Sequence, residues 1–197
     1  TSEAASLGVA AGEEGLFGMG NADTTGGNNV AAQNLTIVGP NGSAPSVAIA
    51  ENATANAVAT AVNAESATTG VTAEARTVAT LSGLSADGTV SFTLQGDTTV
   101  DAVEIEATVT TGDLSALAKA INDKSGQTGI TAQLSGSNNE IVLTQDSGYD
   151  IAIGDFTHSA ADVDAESINV TGNQGVAVKL TDNTDEGTSV GDSTVVG

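Results

Sequence analysis

Two stretches of this sequence are almost alike. Residues 58–73 read VATAVNAESATTGVTA, and residues 117–132, 59 positions later, read LAKAINDKSGQTGITA. Without a gap, 8 of the 16 aligned positions are identical, and three more exchange one aliphatic residue for another. A repeat of this length is the pattern of one supersecondary unit used twice. The chain is therefore expected to fold as two copies of the same module.

The first half of each copy has the spacing of an amphipathic helix. Apolar residues recur at i, i+3, i+4 and i+7, which places them along one side of a helix. These positions are Ala55, Val58, Ala59 and Val62 in the first copy, and Leu114, Leu117, Ala118 and Ile121 in the second. The pattern predicts two short helices.

Turn-forming residues predict where these helices begin and end. Thr111 or Gly112 is expected to cap the second helix, with Asp113 in its first turn, where the helix dipole favours a negative charge. Gly126 is expected to stop that helix. In the first copy, the helix is expected to end at 68–70.

Alternating apolar residues predict strands around each helix, separated by glycine-rich turns such as 39–42, 96–97, 135–139 and 147–148. Two further strands are expected near the end of the chain. The predicted strand positions are Leu35 and Ile37; Val47 and Ile49; Val71, Ala73 and Ala75; Phe92 and Leu94; Val103 to Val109; Ile130, Ala132 and Leu134; Ile141 and Leu143; Ile151 and Ile153; Ile168–Val170; and Val176–Leu180.

These elements predict an α+β fold that is rich in strands. Two duplicated modules are expected, each an antiparallel hairpin or sheet with one short helix packed on it. Residues 1–33 are expected to be an irregular lead-in, with a short strand near Leu16–Phe17. The first module then covers 34–85 and the second 86–157. Residues 158–197 are interpreted as an acidic connector followed by the late strands. One interpretation is that these strands complete the sheet of the first module.

The charge of the chain excludes some classes of function. Four Lys and Arg oppose 25 Asp and Glu, which gives a net charge of −21. Such a chain repels phosphate backbones and anionic lipid surfaces, so neither nucleic acid nor membrane is an expected partner. Because 39% of the residues are apolar, the acidity is interpreted as the solvated surface of a folded chain and not as disorder. With no cysteine, disulfides and thiolate chemistry are absent.

No catalytic, cofactor-binding or metal-binding residue is predicted, and the chain is not expected to be an enzyme. The single histidine, His158, has no second histidine to share a metal and is interpreted as a solvated loop residue. Clusters of acids at 162–166 and 182–187 do not have the spacing of a calcium loop. Glycines at 18–20 and 26–27 have neither the lysine nor the context of a phosphate loop.

Four residues of the repeat are singled out as a structural motif. Asn63 and Asn122 stand at corresponding helix ends, where asparagine bonds to nearby main-chain groups. Gly70 and Gly129 each precede a predicted strand and are interpreted as requirements of the backbone conformation. No ligand is needed to explain these residues.

The repeat resembles a known family. AVN (61–63) and AIN (120–122) are followed by TGVTA (69–73) and TGITA (128–132), and the second copy continues as SGSNNEIVLTQDSGYDIAI (135–153). This pattern is similar to the flagellin hook IN motif, found in the variable outer regions of bacterial flagellins. The resemblance implies the outer domains (the D2/D3 region) of a flagellin, a structural protein of the flagellar filament. The chain begins at Thr1 without methionine or signal peptide, so it is expected to be part of a longer protein.

The resemblance also implies partners and a location. Other flagellin subunits are the expected partners, through termini that lie outside this chain, and O-linked glycans and host or phage surfaces are further candidates. The expected location is extracellular, on the flagellum, after export without a cleaved signal. The same motif occurs in flagellar cap and hook-associated proteins, so an outer domain of one of those is an alternative. An adhesin or glycan-binding module is another.

Overall fold

The computed structural model describes residues 27–28, 30–97, 99–160, 166–173, 175, 177–182 and 194–197. In chain order the elements are β1 (Gln33–Gly39), β2 (Gly42–Ile49), α1 (Ala55–Ala64), α2 (Ser66–Thr69), β3 (Thr77–Ser82), β4 (Gly88–Gln95), β5 (Val103–Val109), α3 (Ser115–Asp123), α4 (Ser125–Thr128), β6 (Ile130–Ser135), β7 (Glu140–Gln145), β8 (Ile151–His158), β9 (Ser167–Gly172), β10 (Ala177–Thr181) and β11 (Thr194–Val196). The predicted α+β class, rich in strands with a few short helices, is confirmed.

The strands form three antiparallel sheets. A two-stranded sheet pairs β1 with β2, a five-stranded sheet has the order β10-β9-β3-β7-β6, and a four-stranded sheet has the order β11-β8-β4-β5. The five-stranded sheet therefore joins β3 of the first repeat to β6 and β7 of the second, and β9 pairs with β3 on the other side. The division of the chain at 33/34, 85/86 and 157/158 stays a prediction.

Two apolar cores hold these layers together. The larger core is built from the five-stranded and four-stranded sheets with α3, and its largest fully buried side chains include Phe92 and Phe156. The smaller core contains Ala44, Val47 and Ile49 of β2, against which Val58 and Ala61 of α1 pack while partly exposed. Burial of apolar surface is the main favourable term in folding, so most of the stability resides in the larger core.

One predicted strand is wrong. Residues 70–76, which contain Val71, Ala73 and Ala75, form no strand, and the strand of this region is β3, which begins at Thr77. In the second repeat, β6 pairs with β7, the strand that follows it. In the first repeat the following strand is β3, which pairs with β7 and β9 instead, so no strand is left to pair with residues 71–75.

The predicted ends of the second helix are also wrong. Helix α3 begins at Ser115, with Leu114 at the N-cap position and no side-chain capping bond. Asp113 lies outside the first turn, and its carboxylate accepts a hydrogen bond of 2.9 Å from the Ser115 N–H. Gly126 does not stop the helix but lies inside α4, and the left-handed residue that ends this region is Gly129, with φ of 70°.

The remaining predicted strands and both helices are present near their expected positions. Helix α1 ends at Ala64, before the expected 68–70, and the short helix α2 occupies the interval up to Gly70. The lead-in strand expected near Leu16–Phe17 lies outside the described residues. Among the helices of the described residues, none is long and apolar enough to cross a membrane.

Candidate functional site

In both repeats an asparagine side chain forms two hydrogen bonds with the main chain of the residue ten positions later. Asn63 Nδ2 donates to the Ala73 carbonyl at 2.9 Å, and Asn63 Oδ1 accepts from the Ala73 N–H at 2.8 Å. Asn122 makes the same two bonds to Ala132, both at 2.8 Å. A side-chain amide has one donor face and one acceptor, which matches the donor and acceptor of one peptide residue. We call each pair of bonds an asparagine clamp.

A threonine and a glycine form the turn between each helix and its clamped segment. Thr69 Oγ1 donates to the Glu65 carbonyl at 2.9 Å and accepts from the Val71 N–H at 3.1 Å. Thr128 Oγ1 has the same partners one repeat later, the Lys124 carbonyl at 3.3 Å and the Ile130 N–H at 3.2 Å. Both threonines are buried. Each turn thus uses its hydroxyl to satisfy main-chain groups at a helix end.

The glycine after each threonine supplies the left-handed residue of the turn. Gly70 has φ of 73° and Gly129 has φ of 70°, a region in which a residue with a Cβ is strained. The N–H of each glycine donates back into the preceding turn, from Gly70 to the Ser66 carbonyl at 2.7 Å and from Gly129 to the Ser125 carbonyl at 2.8 Å. Both glycines therefore occupy the C-cap position of the short helices α2 and α4.

Gly39 and Gly96, which the sequence places in turns, also make close contacts that the sequence does not indicate. A Cβ on Gly39 would lie 2.1 Å from the Thr69 carbonyl oxygen, and a Cβ on Gly96 would lie 2.1 Å from the Thr128 carbonyl oxygen. Both glycines bring a hairpin against the threonine turn of the same repeat. They lie 57 residues apart rather than 59, so the ungapped alignment does not superimpose them. An alignment that allows a two-residue gap is the signal that finds them.

His158 is not the solvated loop residue that the sequence suggested. It ends β8, is 7% exposed, and its Nδ1 accepts from the Ala160 N–H at 3.0 Å. Because Nδ1 is an acceptor, we assign the ring proton to Nε2, which lies 3.2 Å from the Ala86 carbonyl. Both ring nitrogens are then used by main-chain groups, which leaves neither for a metal ion or a reaction.

Asp150 is a partly buried carboxylate. Its two oxygens accept from Asn28 Nδ2 at 3.0 and 2.9 Å. Burial raises the pKa of the Asp150 carboxyl above its ordinary value, and the Asn28 hydrogen bond lowers it in part. Asp150 lines an open cavity of about 600 Å³ with Asp97, Asp155 and Tyr149. In the described part of the chain, no group of three or more His, Cys, Asp and Glu side chains is placed to hold a metal ion.

The acidic clusters at 162–166 and 182–187 lie mostly outside the described residues. Of their acids, the structure describes only Glu166 and Asp182. Glu166 is buried, and the Asp182 carboxylate accepts from the His158 N–H at 2.7 Å. Asp182 therefore has a structural contact within the fold.

Comparison with known proteins identifies the repeat. The family model of the flagellin hook IN motif matches residues 34–87 and again residues 89–147, which is more than half of the chain. The chain belongs to the flagellin hook IN motif family. The two clamps lie one in each IN motif.

Two solved structures from Escherichia coli are similar over part of the IN-motif chain. The flagellar cap protein FliD D1-D2-D3 domains are 19% identical, with 64% of this chain and 50% of that chain covered and a TM-score of 0.30. The FliD D2-D3 domains are 16% identical, with 63% and 81% covered and a TM-score of 0.25. This chain thus spans half the length of the D1-D2-D3 structure. Among curated proteins, none matches the chain significantly.

Proposed function

We propose that this chain is the outer, variable region of a flagellin, displayed to solvent on the surface of the filament outside the cell. The observation that supports this most is that the polar side chains of the two IN motifs form hydrogen bonds within the chain. The Asn63 and Asn122 amides and the Thr69 and Thr128 hydroxyls bond to the chain's own backbone. Groups used in this way build a scaffold, and they do not bind a substrate. In this proposal Asn63, Gly70, Asn122 and Gly129 are the structural motif of the scaffold.

The charge of the chain supports a display role. A net charge of −21 surrounds each copy with a repulsive field, which keeps like-charged filaments apart and hydrated. On β5, for example, Glu104 and Glu106 are exposed, and the core behind them is apolar. Salt screens such repulsion between exposed charges. The physical role of the surface is therefore to resist adhesion between neighbouring filaments.

Membership of the IN-motif family indicates interaction with other flagellar subunits and a surface-exposed place on the flagellum. We propose that polymerisation uses termini outside this chain, as in flagellins. We further propose that exposed serines and threonines are candidates for O-linked glycans, and that host or phage surfaces meet this region first. No catalytic step or cofactor forms part of this proposal.

Two alternatives remain alongside the flagellin assignment. The same motif suits an outer domain of a flagellar cap or hook-associated protein, which differs from flagellin in copy number and position. An adhesin or glycan-binding module differs in requiring a saturable ligand site.

Immunogold electron microscopy separates these assignments in one experiment. Antibodies raised against the 197-residue chain are applied to intact cells of the bacterium that encodes it, with a deletion strain as the control. Label along the whole filament is expected for a flagellin. Label at the tip alone would assign the chain to the cap, and label at the hook–filament junction would assign it to a hook-associated protein. Label on the cell body without filaments would favour the adhesin and overturn the proposal.

A further inference from the structure

The edges of the three sheets are protected unequally. An exposed strand edge is a template for pairing with another chain, and proteins blunt such edges with charge, proline, bulges or cover. The three sheets have six edges, formed by β1, β2, β10, β6, β11 and β5. Strand β5 has exposed Glu104 and Glu106, β10 has exposed Lys179, and β11 is three residues long. These three edges are therefore poor templates.

Two more edges are blocked by other means. On β6, the Asn122 clamp occupies both the N–H and the carbonyl of Ala132, which lie midway along the strand. On β2, Pro45 supplies no N–H, and the register places Leu35 opposite Val47 but Ile37 opposite Ala44. Strand β2 therefore has one residue more than β1 over this interval, which is a bulge. A neighbouring strand cannot pair evenly along either edge.

Strand β1 has none of these protections. Its seven residues, QNLTIVG, contain no charge and no proline, and the bulge of the hairpin lies on its partner. It belongs to the longest uncharged stretch of the chain, residues 24–50, between Asp23 and Glu51. Within the described residues, no strand lies beyond β1 in its sheet. Among the six strand edges of the described residues, the free edge of β1 is thus the one open template.

The apolar face of β1 is also incompletely buried. Val47 and Ile49 of β2 are buried, whereas Leu35 and Ile37 of β1 remain partly exposed although they pack against the same core. Val38, on the opposite face, is 76% exposed and is the most exposed large apolar side chain in the described part of the chain. A further strand beside β1 would remove more of these side chains from water.

We propose that the free edge of β1 pairs with β1 of a second copy of this chain. The pairing is antiparallel about a two-fold axis and makes a four-stranded sheet, β2-β1-β1-β2. A second copy is the partner because it brings the same uncharged residues 33–39 to the contact, so the pairing sets no acid of one β1 against an acid of the other. Two copies of net charge −21 repel each other through every acidic face, and an uncharged edge is where they can approach. A cationic partner would instead be drawn to the acidic faces. This inference does not depend on the proposed place in the filament.

Disulfide trapping tests the pairing directly, because the chain has no cysteine. Single cysteines are introduced in turn at each residue from 34 to 38 of the 197-residue chain, and the variants are oxidised. In an antiparallel pair, only the residue on the two-fold axis faces its own copy, at a Cα separation of about 4.5–5.5 Å that a disulfide can span. One position is therefore expected to cross-link much faster than its neighbours.

The matched control is Thr131→Cys, an exposed residue on the clamped edge of β6, which is expected not to cross-link faster than background. In parallel, sedimentation measures association of the unmodified chain up to about 1 mM, the range of effective concentrations that tethering produces. Added salt is expected to strengthen the association, because it screens the repulsion between copies. Asn34→Glu, which places a charge on the open edge, is expected to lower the association at least tenfold while leaving the circular dichroism spectrum and Tm unchanged.

Three results would overturn the pairing. The first is a chain that stays monomeric at about 1 mM in about 0.5 M salt. The second is a dimer in which no cysteine from 34 to 38 cross-links above the Thr131→Cys background. The third is a dimer that Asn34→Glu leaves as strong as before. Because the readouts are association and cross-linking, they do not depend on where the antibody labels the cell.

Discussion

The two IN motifs share one local structure and differ in what surrounds it. Both have a helix, a threonine turn, a left-handed glycine and an asparagine clamp. Helix α3 buries Leu117, Ala118 and Ile121 in the larger core, whereas α1 buries only Ala59. The clamped segment of the second repeat is β6, an edge of the five-stranded sheet, but the clamped segment of the first repeat belongs to no sheet.

This difference separates what the repeated residues encode from what the fold adds. The clamp bonds residues ten apart in sequence, so it forms wherever the sixteen-residue motif occurs. Whether the clamped segment becomes a strand depends on which strand lies beside it, and that is decided by residues far away in sequence. The motif is thus a local unit that has the same structure in two different environments, one inside a sheet and one outside any sheet.

The largest expected effect comes from comparing equivalent core substitutions in helices α3 and α1. Ile121→Ala removes a fully buried side chain, and we expect a loss of about 2–5 kcal/mol in the free energy of unfolding, because a cavity is left in the larger core. The equivalent change in the first repeat, Val62→Ala, affects a partly exposed side chain and is expected to cost about 1 kcal/mol. Urea unfolding followed by circular dichroism measures both. Equal costs would contradict the assignment of most stability to the larger core.

The second prediction tests whether the clamp is a local unit. Asn63→Ala and Asn122→Ala each remove two hydrogen bonds to the backbone at a largely exposed site, and each is expected to cost about 1–3 kcal/mol. Because the bonds are alike, the two costs are expected to agree within about 0.5 kcal/mol, the usual scatter between independent sites.

The matched control keeps the shape of the side chain. Asn63→Asp and Asn122→Asp retain the acceptor for the alanine N–H but lose the donor to its carbonyl, so each is expected to be less stable than the parent chain. Urea unfolding compares all four variants. If the alanine variant of one repeat is neutral and that of the other is costly, the clamp is not a shared local unit.

Much of this architecture could be predicted from the sequence, because it depends on short-range patterns. The helix stripes, the hairpin of β1 and β2 and the pairing of β4 with β5 follow from apolar spacing and glycine turns. The resemblance at AVN and AIN indicated the family. The repeat predicts that Asn63 and Asn122 bond to nearby main-chain groups, although their partners lie ten residues away.

What could not be predicted depends on contacts between distant segments. The segment 71–75 has the alternation of a strand, yet its potential partner strand pairs elsewhere. His158 is the last residue of β8 and precedes an acidic stretch, and its ring bonds to the carbonyl of Ala86, 72 residues earlier, a contact that local sequence does not indicate. The close contact of Gly96 with Thr128 is likewise a contact between two turns, which spacing alone does not indicate.

The third prediction concerns the two left-handed glycines. Gly129→Ala is expected to cost about 1 kcal/mol, because the new Cβ strains the backbone and meets only Gln145 Nε2, at 3.3 Å. Gly70→Ala is expected to cost more, because its Cβ would also lie 2.9 Å from Asn41 Nδ2 and 3.1 Å from Pro40 Cγ. Thermal unfolding ranks the two variants. As a control, Gly129→Asn is expected to cost less than Gly129→Ala, since asparagine tolerates this conformation, and the reverse order would count against backbone strain.

The smallest expected effect is on the pH dependence of the free energy of unfolding, compared between two carboxylates. Burial raises the pKa of Asp150 above 3.8, so its ionised form costs stability at neutral pH, and this cost disappears as the pH falls through the raised pKa. The hydrogen bonds from the side chain and backbone of Ser115 lower the pKa of Asp113 below 3.8, so its contribution is present above 3.8 and is lost as the pH falls through the lowered pKa. The contributions of Asp150 and Asp113 to the free energy of unfolding therefore change in opposite directions as the pH falls.

Unfolding by urea at several pH values between 7 and 3 measures this contrast, with each variant compared with the parent chain so that the common effect of the net charge cancels. Relative to Asp150→Asn, which still accepts from Asn28, the parent chain is expected to gain stability as the pH falls. Relative to Asp113→Ala, it is expected to lose stability at the acid end of the range. Asp113 is fully exposed, so solvent screens its interactions and its change is the smaller one. If both differences changed in the same direction with pH, burial at Asp150 could not be the dominant influence on that carboxylate.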